Sequence, residues 1–177
     1  MSGSYSTFLG RADELVALLH DFCIRGGVTL STAESVTGGL ISSLIVSHAG
    51  ASRFFKGGAV TYSNESKESI LGVDHSTLLS RGAVSAETAL EMAAGAMRIF
   101  GSSAALSTTG IAGPSGATAE KEVGLVFIAA CTPSGASVSR FIFQGGREDI
   151  RQAATLEALR ILVPGRQGGA SHQLFKE

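Results

Sequence analysis

The chain is poor in the residues that mark several functional classes. Its 177 residues include no tryptophan, three prolines and two cysteines, and charged residues make up 16%, against a typical ~25%. Cys23 and Cys131 provide no disulfide framework and no CxxC metal pair. Each sits in an apolar run and reads as a small buried thiol. The four histidines, His20, His48, His75 and His172, are scattered without an HExxH, so no metal and no cofactor are expected. Lys+Arg number 14 and Asp+Glu 15, a net charge of −1. That balance lacks the basic face a nucleic-acid clamp needs. No run approaches the ~20 apolar residues of a membrane span, and the N-terminus has neither the basic nor the apolar part of a secretory signal. The sequence therefore predicts a cytoplasmic protein without nucleic-acid or membrane partners.

Hydrophobic residues make up 44% and glycine 23 of the 177, the latter near twice the usual ~7%. This is enough apolar material for one domain with a real core. Residues 1–10 and 165–177 are polar and Gly- or Ser-bearing, and read as flexible tails around a domain at 11–164. Within it, Leu15, Leu18, Leu19 and Phe22 recur at helical spacing until Gly26-Gly27. Strand candidates at 28–33, 55–62 and 104–108 alternate with helices at 40–46, 64–71 and one started by Ser85, with Glu87 in its first turn. Two strands at 124–131 and 138–144 then form a hairpin across Pro133-Ser134-Gly135, and a last helix spans about 148–162. Alternation of this kind predicts an α/β fold with a mainly parallel sheet covered on both faces, the hairpin adding one antiparallel strand.

Ligands in such folds gather beyond the C-terminal ends of parallel strands, and three Ser-, Thr- and Gly-rich segments fall there. The first is Thr32-Ala-Glu-Ser-Val-Thr-Gly-Gly39. Ser35 stands on a tight strand-to-helix turn, either as a plain helix cap or as a nucleophile. The backbone N–H groups of the turn are available to an anion or an oxyanion. The second segment, Thr61 to Lys67, supplies Tyr62 and Lys67. A serine needs a base, and no histidine lies in the three loops, so Lys67 becomes the candidate. An unperturbed lysine, with pKa ~10.4, is neutral less than about one part in a thousand near pH 7. Lys67 thus works only if it is desolvated and out of contact with Glu34, Glu65 and Glu68; otherwise it is a solvated helix charge. Tyr62 either orients the lysine, relays a proton, or simply ends a buried strand. The third segment, Thr109 to Gly116, brings backbone near a phosphate, a sugar or only another turn. Arg147 near the last helix is either a phosphate ligand with fork geometry or a surface arginine at a helix start.

Five ordered strings resemble the CinA C-terminal domain family: TAESVTGGLISS, GAVTYSNESKESILGV, GAVSAETALEMAAGA, TTGIAGPSGATAEKEVGLVFIA and GGREDIRQAATLEAL. The resemblance covers roughly residues 15–162. It implies a three-layer α/β/α sandwich with a five-stranded, mostly parallel mixed sheet, one strand antiparallel, and a homodimer or higher homo-oligomer. Single-domain members of the family are nicotinamide-nucleotide amidases, which implies hydrolysis of nicotinamide mononucleotide to nicotinate mononucleotide and ammonia, in pyridine-nucleotide salvage. The family's serine nucleophile falls on Ser35, its lysine base on Lys67 and its tyrosine on Tyr62. Its substrate-binding stretches fall on Thr37, Gly38 and Gly39, on Thr109, Gly110, Ile111, Ala112 and Gly113, and on Arg147. Ala117 and Glu122 stand where the family tends to have glycine and proline, and Val36 where cysteine is common. The changes at 117 and 122 bear on loop shape and substrate preference. A non-catalytic pyridine-nucleotide sensor and an amidase for another carboxamide are the alternatives.

Overall fold

The computed structural model describes residues 2–163 and 172–175. Helix α1 (Ser2–Gly26) leads into strand β1 (Leu30–Glu34), α2 (Leu40–Ser47), a 3-10 turn at Ala51–Arg53 and β2 (Phe55–Val60). Then come α3 (Asn64–Leu71), α4 (His75–Arg81), α5 (Ala86–Phe100), β3 (Ala104–Gly110), β4 (Leu125–Thr132), β5 (Gly135–Ile142), α6 (Arg147–Ile161) and β6 (His172–Phe175). The strand order is β2-β1-β3-β4-β5-β6. β1 runs parallel to β2 and β3, and β4 is antiparallel to β3 and β5. Across β1 to β5 only β4 is reversed, which is the mixed sheet expected. The short β6 extends it, antiparallel to β5.

Two apolar clusters, one on each face of the sheet, make the three layers. α1, α2 and α6 bury Leu15, Leu19, Ile41, Ile45, Ile150 and Leu159 against Leu30, Leu106 and Ile128. On the other face, α3 to α5 bury Leu71, Leu78, Met92 and Ala96 against Ala105 and Ala129. Adjacent strand residues go to opposite clusters, Ala105 to one and Leu106 to the other, as the two-residue strand period requires.

Two of the expected boundaries change. The N-terminal stretch 1–10, expected to be a flexible tail, is helical from Ser2. Phe8 and Ala12 extend the apolar stripe of Leu15 and Leu19 by two turns, and Phe8 is buried, so the helix continues as far as the core rewards it. At the other end, the expected tail 165–177 contains β6, whose residues pair Ala136 with Phe175 and Ser139 with His172. The remainder of that tail lies outside the described residues. α4 was not expected from the sequence, although Asp74 caps it, accepting from the Ser76 N–H at 2.7 Å.

The register aligns the strand ends that matter. Glu34 is level with Val60 on one side and Thr108 on the other. The chain leaves β1 for β2 through α2 on one face, and reaches β3 through α3 to α5 on the other. The crevice beyond β1 is therefore the point where the winding reverses.

Candidate active site

Two charged side chains are buried at that crevice, and each is stabilised differently. Glu34, the last residue of β1, is fully buried. Its Oε2 accepts from the Thr37 hydroxyl at 2.8 Å and from the N–H groups of Gly39 at 3.0 Å and Ile41 at 3.1 Å. Its Oε1 accepts from the Ser42 N–H at 2.8 Å and the Ser42 hydroxyl at 2.6 Å. The carboxylate thus occupies the start of α2, where exposed N–H groups and the helix dipole favour an anion. Two local features permit this. Gly39 sits at φ 94, in the left-handed region. Gly58 of β2 lets α2 approach: a Cβ there would stand 2.3 Å from both Ser42 Oγ and Thr32 Oγ1, which bond each other at 2.7 Å.

Lys67 is the other buried charge. It lies on α3, and the N-cap Ser63 accepts from the Ser66 N–H to fix that helix's start. Helical side chains lean towards the N-terminus, and Lys67 does so, bringing Nζ to 2.8 Å from Thr61 O and 3.0 Å from Ser35 Oγ. The residue is 1% exposed. No carboxylate pairs with it among the described residues: Glu34 is held by α2, and Glu68 accepts from or pairs with His75 at 3.0 Å. With burial and no counter-charge, its pKa falls to about 8 from an ordinary 10.5.

Ser35 follows Glu34 directly. Its N–H donates to Thr108 O at 3.0 Å, while the Thr61 N–H donates to Glu34 O at 2.9 Å. The nucleophile candidate and the residue behind the base are thus tied to the same three strand ends. Ser35 and Lys67 meet at the floor of a cleft of about 160 Å3 whose walls include Val36, Tyr62, Asn64, Ala83, Thr109 and Arg147. A larger groove of about 310 Å3 between α1 and α2 contains only the His48–Asp13 pair as charged chemistry. The smaller cleft is the candidate site because, of these two, it alone joins a hydroxyl to a buried amine.

The other expected residues divide into three groups. Thr109, Gly110, Ala112 and Arg147 line the cleft; the Thr109 hydroxyl donates to Ala83 O at 2.6 Å. Ile111 and Gly113 shape the loop behind it, the Ile111 N–H donating to Leu125 O at 2.9 Å. Thr37, Gly38 and Gly39 do not line it. Thr37 is buried and bonds Glu34 and Thr108, so its role is to hold the turn. The expected anion site in this turn is also narrower than the sequence suggests. Gly39, Ile41 and Ser42 serve Glu34, Ser35 serves Thr108, and Leu40 serves Thr37 O. Of the remaining N–H groups at 36–38, only that of Val36 belongs to a residue lining the cleft.

Tyr62 is not placed to orient the lysine. It is 64% exposed at the mouth, and its hydroxyl accepts from Arg147 Nη2 at 2.8 Å while Arg147 Nη1 donates to Gly113 O at 2.9 Å. Lys67 is oriented instead by the backbone carbonyl of Thr61, a contact that no side-chain pattern announces. Asn64 and the Ala83-Val84 wall were also missed, although both stand inside the quoted strings YSNESK and GAVSAET. The two thiols behave as buried, inert groups, burial raising Cys23 to about 12 and Cys131 in the same direction.

The model of the CinA C-terminal domain family matches residues 12–164. A CinA-like protein of Fervidobacterium nodosum is 45% identical over 152 residues, covering 86% of this chain and 37% of that protein. A CinA-like protein of Kosmotoga olearia is 43% identical over 166 residues, 92% of this chain and 40% of its own length. The chain therefore spans well under half of these relatives. Among solved structures, the competence/damage inducible protein CihA of Agrobacterium tumefaciens superposes with a TM-score of 0.83 at 41% identity, covering 86% of this chain and 94% of that one. The competence damage-inducible protein A of Klebsiella pneumoniae does so at 0.84 and 32%, over 87% and 96%. With the family pattern matched over residues 12–164 and the fold matched over 86–87% of the chain, the chain belongs to the CinA C-terminal domain family.

Proposed function

We propose that the protein is an amidohydrolase that uses Ser35 as nucleophile and Lys67 as base, with nicotinamide mononucleotide as substrate. The observation that carries the reading is the 3.0 Å approach of the buried Lys67 Nζ to Ser35 Oγ, with no carboxylate paired to the amine among the described residues. A pKa of about 8 leaves Lys67 neutral in about a tenth of molecules at pH 7. The Thr61 carbonyl holds one N–H of the neutral amine, so its lone pair is free to face the serine hydroxyl.

In this reading neutral Lys67 takes the Ser35 proton as Oγ bonds to the carboxamide carbon. The Val36 N–H faces the developing oxyanion, an interaction worth ~3–4 kcal/mol per donor elsewhere. The C–N bond then breaks, the protonated lysine returning its proton to the departing nitrogen, and ammonia leaves. Water, losing a proton to Lys67, attacks the acyl carbon; the C–Oγ bond breaks and Ser35 regains the proton. Arg147 is the cation for the nucleotide phosphate, and binding there exchanges the Tyr62 hydroxyl for a phosphate oxygen.

The test is ammonia release from nicotinamide mononucleotide. The purified protein releases it, and Ser35→Ala abolishes release while nucleotide affinity stays within about threefold. Near-full turnover by Ser35→Ala removes the nucleophile assignment. Binding without release in the parent protein makes it a sensor, and release from other amides alone changes the substrate.

A further inference from the structure

The polar side chains lining the cleft are nearly all engaged within the protein. Ser35 and Lys67 meet each other, Tyr62 meets Arg147, Arg147 also meets Gly113 O, and Thr109 donates to Ala83 O. Asn64 is the exception. It lines the cleft as an exposed residue at its mouth, and among the described residues its carboxamide makes no hydrogen bond within the protein. It is the first residue of α3, three positions before Lys67 and so on the same helix face. Because Lys67 leans back to reach Thr61 O, its amine is carried towards the end of the helix where Asn64 stands.

The chemistry of the pair narrows what Asn64 meets. A side-chain amide offers one acceptor and one NH2 donor. A primary carboxamide delivered to Ser35 brings an NH2 group that needs acceptors, whereas Arg147 offers donors only and the Tyr62 and Thr109 hydroxyls are already engaged with Arg147 and Ala83 O. A site that hydrogen-bonds a substrate N–H rejects analogues lacking it, because its own polar group is then left unpaired.

We infer that Asn64 is the specificity-determining residue for the scissile carboxamide, its Oδ1 accepting an N–H of the leaving nitrogen. This rests on the amidase reading above, but its test does not require turnover. Asn64→Asp keeps the acceptor and suits a helix N-terminus, so folding is not at issue; Asn64→Leu removes acceptor and donor. Both are placed in the Ser35→Ala protein, and binding of nicotinamide mononucleotide and nicotinate mononucleotide is measured by calorimetry.

The expected result is that Asn64→Leu weakens the amide ligand about tenfold. Asn64→Asp is expected to hold it within about threefold while weakening the carboxylate ligand at least tenfold, by like-charge repulsion. Equal losses for both ligands place Asn64 on the shared ribose or phosphate and overturn the inference. Unchanged binding of both overturns it too, as does a Ser35→Ala protein that binds neither. Should the parent protein bind the amide ligand selectively through Asn64 yet release no ammonia, the amidase reading falls and the recognition role stands.

Discussion

Glu34 and Lys67 are buried within the same crevice and are treated in opposite ways. Glu34 receives five hydrogen bonds and serves as the anion at the head of α2. Lys67 donates to no carboxylate among the described residues and makes two hydrogen bonds, one to a carbonyl and one to the serine. A charge fully satisfied by fixed donors holds structure in place; a charge left poorly solvated gives up its proton. The fold separates the two by directing the carboxylate to a helix terminus, so that it does not neutralise the amine beside it. The molecule thus spends stability at Lys67 and recovers rigidity at Glu34, and the contrast can be broken from either side.

The largest effect is expected at the base. Lys67→Met fills the same volume without the amine and lowers kcat by at least about a thousandfold, measured as ammonia release. Its stability moves with pH in a direction fixed by the shift. The unfolded chain holds the lysine proton up to about 10.5 and the folded chain only up to about 8. Between these values the unfolded state binds more protons, so the parent protein gains stability as pH rises, by about 3 kcal/mol in all. Below pH 8 that gain is absent. The Met variant lacks the slope, and its advantage over the parent is therefore about 3 kcal/mol larger at pH 7 than near pH 10.5 in urea unfolding. A parallel pair of stability curves contradicts the buried, unpaired lysine.

Breaking the other side costs the fold. Glu34→Ala leaves the head of α2 without its acceptor and is expected to lower stability by about 3–5 kcal/mol. Activity falls with it, because Ser35 is the next residue. Thr37→Val removes one of the five donors and also the contact to Thr108. It is expected to cost about 1 kcal/mol in denaturant unfolding and to leave kcat within a few-fold. A Thr37→Val protein as impaired in catalysis as Lys67→Met contradicts the division of labour between the two charges.

How far the sequence disclosed this depends on the range of the interaction. α3 and the Ser85 cap were legible because a cap and an apolar stripe are local: α3 runs from Asn64 to Leu71 as expected, and Ser85 Oγ accepts from the Thr88 N–H. The pairing of Ser35 with Lys67, 32 residues apart, came from elimination among the strand-end loops, which hold no histidine, and then from the family strings, and not from any periodicity. Three things were out of reach. The Thr61 carbonyl has no side-chain signature. The fate of Glu34 depends on where α2 docks, which Gly58 and Ser42 decide across two elements. The partner of Tyr62 at the cleft mouth is Arg147, 85 residues away. β6 was hidden because its partner strand is set by chain return and not by local pattern.

The most direct measurement is the titration of Lys67 itself, read from the side-chain NMR signals of isotope-labelled lysine in the intact protein, with Lys67→Met assigning the resonance. The account predicts an apparent pKa of about 8, with the rate of ammonia release rising through the same pH and levelling above it. A value near 10.5 would contradict the account, since the amine would then be charged wherever the protein works and could not take a proton from Ser35.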